Sequence, residues 1–118
     1  KHGSRRGRRV RRFLQASLLL MLRSGEAHGY ALLPELDRYG FDMHRMDPSV
    51  VYRMLRKMET AGWVNSRWSD DSQGPRRRVY TITAAGKQRL DELVEDLRVT
   101  RDQINDLLER YERDQETG

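Results

Sequence analysis

The chain has no cysteine, so disulfides and thiolate metal sites are excluded, and a reducing cytosol is the expected setting. Long apolar runs are also missing. The longest, residues 16–22, is interrupted by Ser17 and falls far short of the roughly 20 residues that span a bilayer. It reads as a core helix segment, and no membrane partner is expected. No signal-peptide pattern is expected either, because the basic start is not followed by an apolar stretch and cleavage site. Catalytic signatures are lacking. No nucleophile sits in a motif with a histidine, Gly25 and Gly29 form a turn pair rather than a phosphate loop, and no metal pair is present. The three histidines, His2, His28 and His44, show no ligand spacing. The reading is therefore a non-enzyme without metal or other cofactor.

What remains is charge, unevenly placed. Net charge is +5 over 118 residues, a length that fits one domain with a modest core. Residues 1–83 hold 17 Lys/Arg and 8 Asp/Glu (+9), and residues 84–118 hold 6 and 10 (−4). A polyanion would meet the first part only. Residues 1–12 carry seven cations and no acid, which predicts a flexible basic arm. Such an arm suits a minor groove or a phosphate track, and equally a solvated tail.

Periodicity then divides the chain. Phe13, Leu14, Ser17, Leu18, Met21 and Leu22 predict a helix over about residues 10–23. A second helix, opened by Gly29 and Tyr30 and closed at Tyr39-Gly40, buries Leu32, Leu33 and Leu36. Asp47 is a good N-cap and Pro48 a good first residue for a third helix running to Ala61, with Val51, Leu55 and Met58 inward and Gly62 as the stop. Strands are expected at about 63–68 and 77–82, joined by the turn cluster 70–75. On the second strand, Tyr80 and Ile82 should face one way, Val79 and Thr81 the other. Thr83 caps a final helix in which Leu90, Leu93, Leu97, Thr100, Ile104, Leu107 and Tyr111 repeat every 3 and 4 residues. A helix of some 28 residues measures roughly 42 Å, too long for a domain of this size to cover, so a second copy is expected along it. The predicted organisation is a basic arm (1–12), a winged helix-turn-helix (13–83) and a dimerisation helix (84–118). The class is mainly α with a small β-hairpin, that is, α+β.

A helix followed by a cationic hairpin is the arrangement by which a winged helix grips duplex DNA: the helix enters the major groove and the wing touches backbone. Four stretches sharpen this expectation. They are His28-Gly29-Tyr30-Ala31-Leu32, then residues 48–55 (Pro-Ser-Val-Val-Tyr-Arg-Met-Leu), then Glu59-Thr60-Ala61-Gly62-Trp63-Val64, and a wing of Gly74 followed by residues 77–86 (Arg-Arg-Val-Tyr-Thr-Ile-Thr-Ala-Ala-Gly). In this order and at these separations, the chain resembles the PadR family of bacterial transcriptional regulators over residues 14–111. The lack of a larger C-terminal region resembles its short subfamily, with a single dimerising helix. One departure is Val79, which stands where the family usually shows a second aromatic beside Tyr80.

The resemblance implies a homodimeric, sequence-specific regulator of double-stranded DNA, a repressor released by a small aromatic effector. Ser49, Val50, Tyr52 and Arg53 lie near the start of the recognition helix, with Arg56 and Lys57 further along. Arg76, Arg77 and Arg78 crowd the wing, where three adjacent cations repel one another until an anion such as phosphate arrives. Leu90, Leu93, Leu97, Ile104, Leu107 and Tyr111 are the dimerisation candidates. Phe13, Met21, Leu93 and Leu97 occupy positions comparable to the family's effector site. His28 reads as structural, fixing the approach to the second helix. A protein-interaction winged helix and a nonspecific nucleic-acid binder are the rival readings.

Overall fold

The computed structural model describes residues 5–69 and 77–117. The first helix, α1 (Arg5–Ser24), buries Leu14, Leu18, Leu19 and Leu22 along one face. Ser17 is buried with them and is satisfied locally, its hydroxyl donating to the Phe13 carbonyl at 2.8 Å. α1 starts five residues before the expected start at residue 10. The basic arm expected to be flexible over residues 1–12 is thus helical from Arg5 onward. The leucine half nucleates the helix against the core, and each arginine added in front is a good helix former gaining one backbone bond.

After α1 come a short strand, β1 (Ala27–His28), a 3-10 turn (Gly29–Ala31), α2 (Leu32–Glu35) and a second 3-10 turn (Leu36–Tyr39). α3 (Pro48–Thr60) follows, then β2 (Val64–Trp68), β3 (Arg78–Ile82) and α4 (Ala84–Thr117). The sheet has three strands rather than the expected two, in the order β1-β3-β2 and antiparallel throughout. β1 pairs Ala27 with Tyr80 and His28 with Val79, so the approach to the second helical run is stitched to the wing. Beyond the Trp68–Arg78 pair, Ser69 N–H donates to the Arg77 carbonyl at 2.7 Å.

The core lies where α1, α3, β3 and the start of α4 meet. Val51, Leu55, Met58, Val64, Leu90 and Leu93 are almost wholly enclosed, and Met54 joins the buried face of α3. Tyr80 is buried. Val79 is buried too, although it stands on the opposite face of β3, so a small aliphatic side chain suffices there.

Two junctions hold α4 to this body. Gly62 takes φ +84 just past α3, the left-handed conformation that ends a helix. Thr83 then caps α4 as expected: its hydroxyl accepts from the Gly86 N–H at 3.0 Å and donates to the Gly62 carbonyl at 2.7 Å. Gly86 lies so close to Trp63 that a Cβ there would sit 2.0 Å from the Trp63 carbonyl oxygen. From this clamp α4 runs 34 residues, longer than the periodicity predicts, or about 51 Å at 1.5 Å per residue. The molecule is accordingly elongated, 68 × 31 × 31 Å. Among the described residues no helix is long and apolar enough to cross a membrane.

The heptad seam divides in two. Leu90 and Leu93 are covered by their own chain, chiefly by α1, and are not available to a second copy. Leu97 is half-buried, whereas Ile104, Leu107 and Tyr111 are exposed. Spacing alone gives both halves the same pattern, and only the position of α1 separates them.

Candidate nucleic-acid interface

α3 is set by its first turn. The Asp47 carboxylate accepts from the Ser49 N–H at 3.0 Å, and Pro48 occupies the position whose N–H has no helical partner. The Ser49 backbone N–H, and next its hydroxyl, hold the Asp47 carboxyl below its ordinary value of 3.8. The Arg53 guanidinium bends back toward this end, donating from Nη1 to the Ser49 hydroxyl at 3.2 Å. A cation thus stands at the terminus that enters a groove in helix-turn-helix proteins. Arg56 and Lys57 are exposed further along, Ser49 and Val50 are half-exposed, and Tyr52 is half-buried. The Tyr52 and Tyr80 rings close over Gly29, where an added Cβ would approach them to 3.0 and 3.3 Å. Burial pushes the Tyr80 hydroxyl above its ordinary range, with Glu59 reinforcing the shift.

Two wing arginines, Arg77 and Arg78, are each placed by an aromatic ring. Arg77 lies 4.6 Å over the Tyr30 ring and donates to a tyrosine hydroxyl, that of Tyr30 itself. Arg78 lies 4.7 Å over the Trp68 ring, and its Nε donates to the Ser66 hydroxyl at 2.9 Å. That hydroxyl in turn donates to Glu59 of α3 at 2.6 Å, which joins the wing to the recognition helix. Arg67, on the same hairpin, is instead paired with Glu26 at 2.8 Å. Arg76 lies outside the described residues. Among the described residues, none of Arg53, Arg56, Lys57, Arg77 and Arg78 forms an ion pair with a carboxylate. The sequence gives no sign of the roles of Tyr30, Trp68, Ser66 and Glu59. Arg77 and Tyr30 are 47 positions apart, and no local pattern announces that pairing.

His28 lies on β1. It pairs with Val79 through β1, and its ring lies 5.9 Å from that of Tyr30. Its Nδ1 is buried without a partner among the described residues, and those residues contain no group of three His, Asp or Glu able to hold a metal.

Of the effector candidates, Phe13, Leu93 and Leu97 come together in a groove of about 470 Å³ between α1, Phe41 and α4. Phe13 and Phe41 form its aromatic wall, with ring centroids 5.4 Å apart. Leu93 contributes from the core, being itself enclosed. Met21 does not join them. It lies two turns further along α1, packed on the core outside the groove.

A capped helix presented beside a two-stranded wing, with cations on both, defines a DNA-binding winged helix. The sequence profile of the Transcriptional regulator PadR-like family matches residues 18–92, and the chain belongs to that family. Solved structures agree. A PadR family transcriptional regulator from Eggerthella lenta is 29% identical, with 86% of this chain and 87% of that one covered and a TM-score of 0.72. A PadR-like transcriptional regulator from Bacillus cereus is 26% identical over 80% and 90%, with a TM-score of 0.68. PadR of Bacillus subtilis, solved in complex with operator DNA, is 26% identical, with a TM-score of 0.60. The match covers 69% of this chain and 46% of that longer one.

Proposed function

We propose that this protein is a homodimeric regulator that binds operator DNA, represses transcription, and is released by a small planar apolar effector. The observation carrying the reading is the set of exposed cations on α3 and the wing: Arg53, Arg77 and Arg78 are positioned by hydroxyls or aromatic rings, and these three with Arg56 and Lys57 form no ion pair among the described residues. Duplex phosphate supplies anions at regular spacing to such a face. Arg53 has the reach for a base edge, and Arg77 and Arg78 suit backbone.

Self-association is supported by α4. Beyond Thr100 every described residue is exposed, including Ile104, Leu107, Leu108 and Tyr111. A second copy placed along this rod would set two recognition helices about one duplex turn apart, roughly 34–36 Å. The groove at Phe13 and Phe41 has a size typical of small-molecule sites, within the range of about 300–1,000 Å³. A ligand favouring one dimer geometry there would shift the spacing of the heads.

The test is selection of genomic fragments on the purified protein, followed by titration of the enriched site and a random duplex across a range of salt. A preference of about 10³ or more for a palindromic site, with a steep salt dependence, supports the proposal. Equal affinity for both duplexes would reduce the protein to a nonspecific binder. No retained duplex at low salt would leave the basic face to an acidic protein partner.

A further inference from the structure

The basic N-terminal turns of α1 lie outside the stretch matched to the family, which starts at residue 18. Arg8, Arg11, Arg12 and Gln15 recur at i, i+3, i+4 and i+7, so one face of the helix carries them together. That face is turned toward α3. Arg11 shares the walls of one cleft with Arg53, Arg56 and Lys57 on α3. A second, adjoining cleft runs from Arg8 and Arg12 across Met54 to Lys57.

The floor between them is fixed. Gln15 donates from Nε2 to the Met54 sulfur at 3.6 Å and accepts from Arg89 Nε at 3.1 Å, tying α1 to both α3 and α4. Arg89 is further held 5.0 Å over the Trp63 ring and lies 3.4 Å from Glu92. The other cations around the clefts have no ion-pair partner among the described residues, and no carboxylate lines either cleft.

We infer that this trough is a second phosphate-binding site, taking the DNA backbone that borders the groove entered by α3. The inference rests on the DNA-binding reading above and extends the footprint from α3 to the start of α1. Two features favour duplex over an acidic protein. The trough shares Arg53 and Lys57 with the recognition helix, so one continuous polyanion serves both. Its cations also follow a rigid helix, as a regular phosphate track requires. The recognition helix then has a basic neighbour in the start of α1 as well as in the wing.

The experiment compares the full chain with R8Q/R11Q and the charge-retaining R8K/R11K on the enriched site and on random duplex. Both arginines are exposed, and thermal unfolding checks that neither pair of changes disturbs the fold. The salt slope of R8Q/R11Q should fall by about 0.9 for each phosphate that is no longer neutralised, or ~1.8 per subunit, with site preference unchanged and R8K/R11K retaining the slope. Hydroxyl-radical footprints should show weaker protection of the backbone flanking the half-site. An unchanged slope and footprint, while R53Q and R77Q weaken binding, would overturn the second site alone. So would an effect confined to dimer dissociation, which would assign the trough to the acidic α4 of a second copy. A wild-type chain that retains no duplex would overturn both readings together.

Discussion

Arg78 is positioned by three neighbours: the Trp68 face beneath it, the Ser66 hydroxyl at its Nε, and Glu59 behind that hydroxyl. A guanidinium ordered before binding gives up less freedom on meeting phosphate than a loose one. Ser66→Ala should therefore weaken every duplex alike, by several-fold, without altering site preference, as equilibrium titrations against specific and random DNA would show. Arg53→Ala should do the reverse, relaxing sequence choice by about 1–3 kcal/mol at one base position if it bonds a base in bidentate fashion. Asp47 gives a pH signature. Its folded carboxyl titrates below the ordinary 3.8, so its capping contribution is complete above the unfolded value and is lost as pH falls through the folded one. An NMR titration of the Ser49 amide should show a midpoint below 3.8, and Asp47→Ala should abolish it. A midpoint at or above 3.8 would mean that the cap contributes nothing to the carboxylate.

At the scale of elements, α3 is legible from Asp47-Pro48 and Gly62, and β2 and β3 from their alternation and the turn cluster between them. β1 is not, because a two-residue strand has no period and its partners lie some fifty residues away. The early start of α1 escapes the sequence for a different reason. A run of arginines looks like a solvated tail by charge, yet it is compatible with a helix by propensity, and the packed leucines behind it decide the outcome. The pairings that seat Arg77 and Arg78 are likewise tertiary, made between segments with no shared local pattern. The junction of α4 with the wing offers a direct check. Gly86→Ala places a methyl group against the Trp63 carbonyl, a backbone atom that cannot swing aside. It should cost about 1–3 kcal/mol or more in chemical unfolding.

Over the whole molecule, the seam of α4 has a buried part and an exposed part that heptad spacing cannot tell apart. Leu90 and Leu93 belong to the monomer's own core, so Leu90→Ala should cost about 2–5 kcal/mol whatever the protein concentration. Ile104 and Leu107 stand clear of the body, so Ile104→Glu with Leu107→Glu should shift sedimentation toward a monomer while the head keeps its melting behaviour. Retained self-association in that variant would refute dimerisation through this part of α4. The Thr83 stitch also has a mechanical side. With its hydroxyl fastened to Gly62 behind and Gly86 ahead, no slack separates the rod from the hairpin. One hydroxyl thus couples the stop of α3, the foot of the hairpin and the start of the rod.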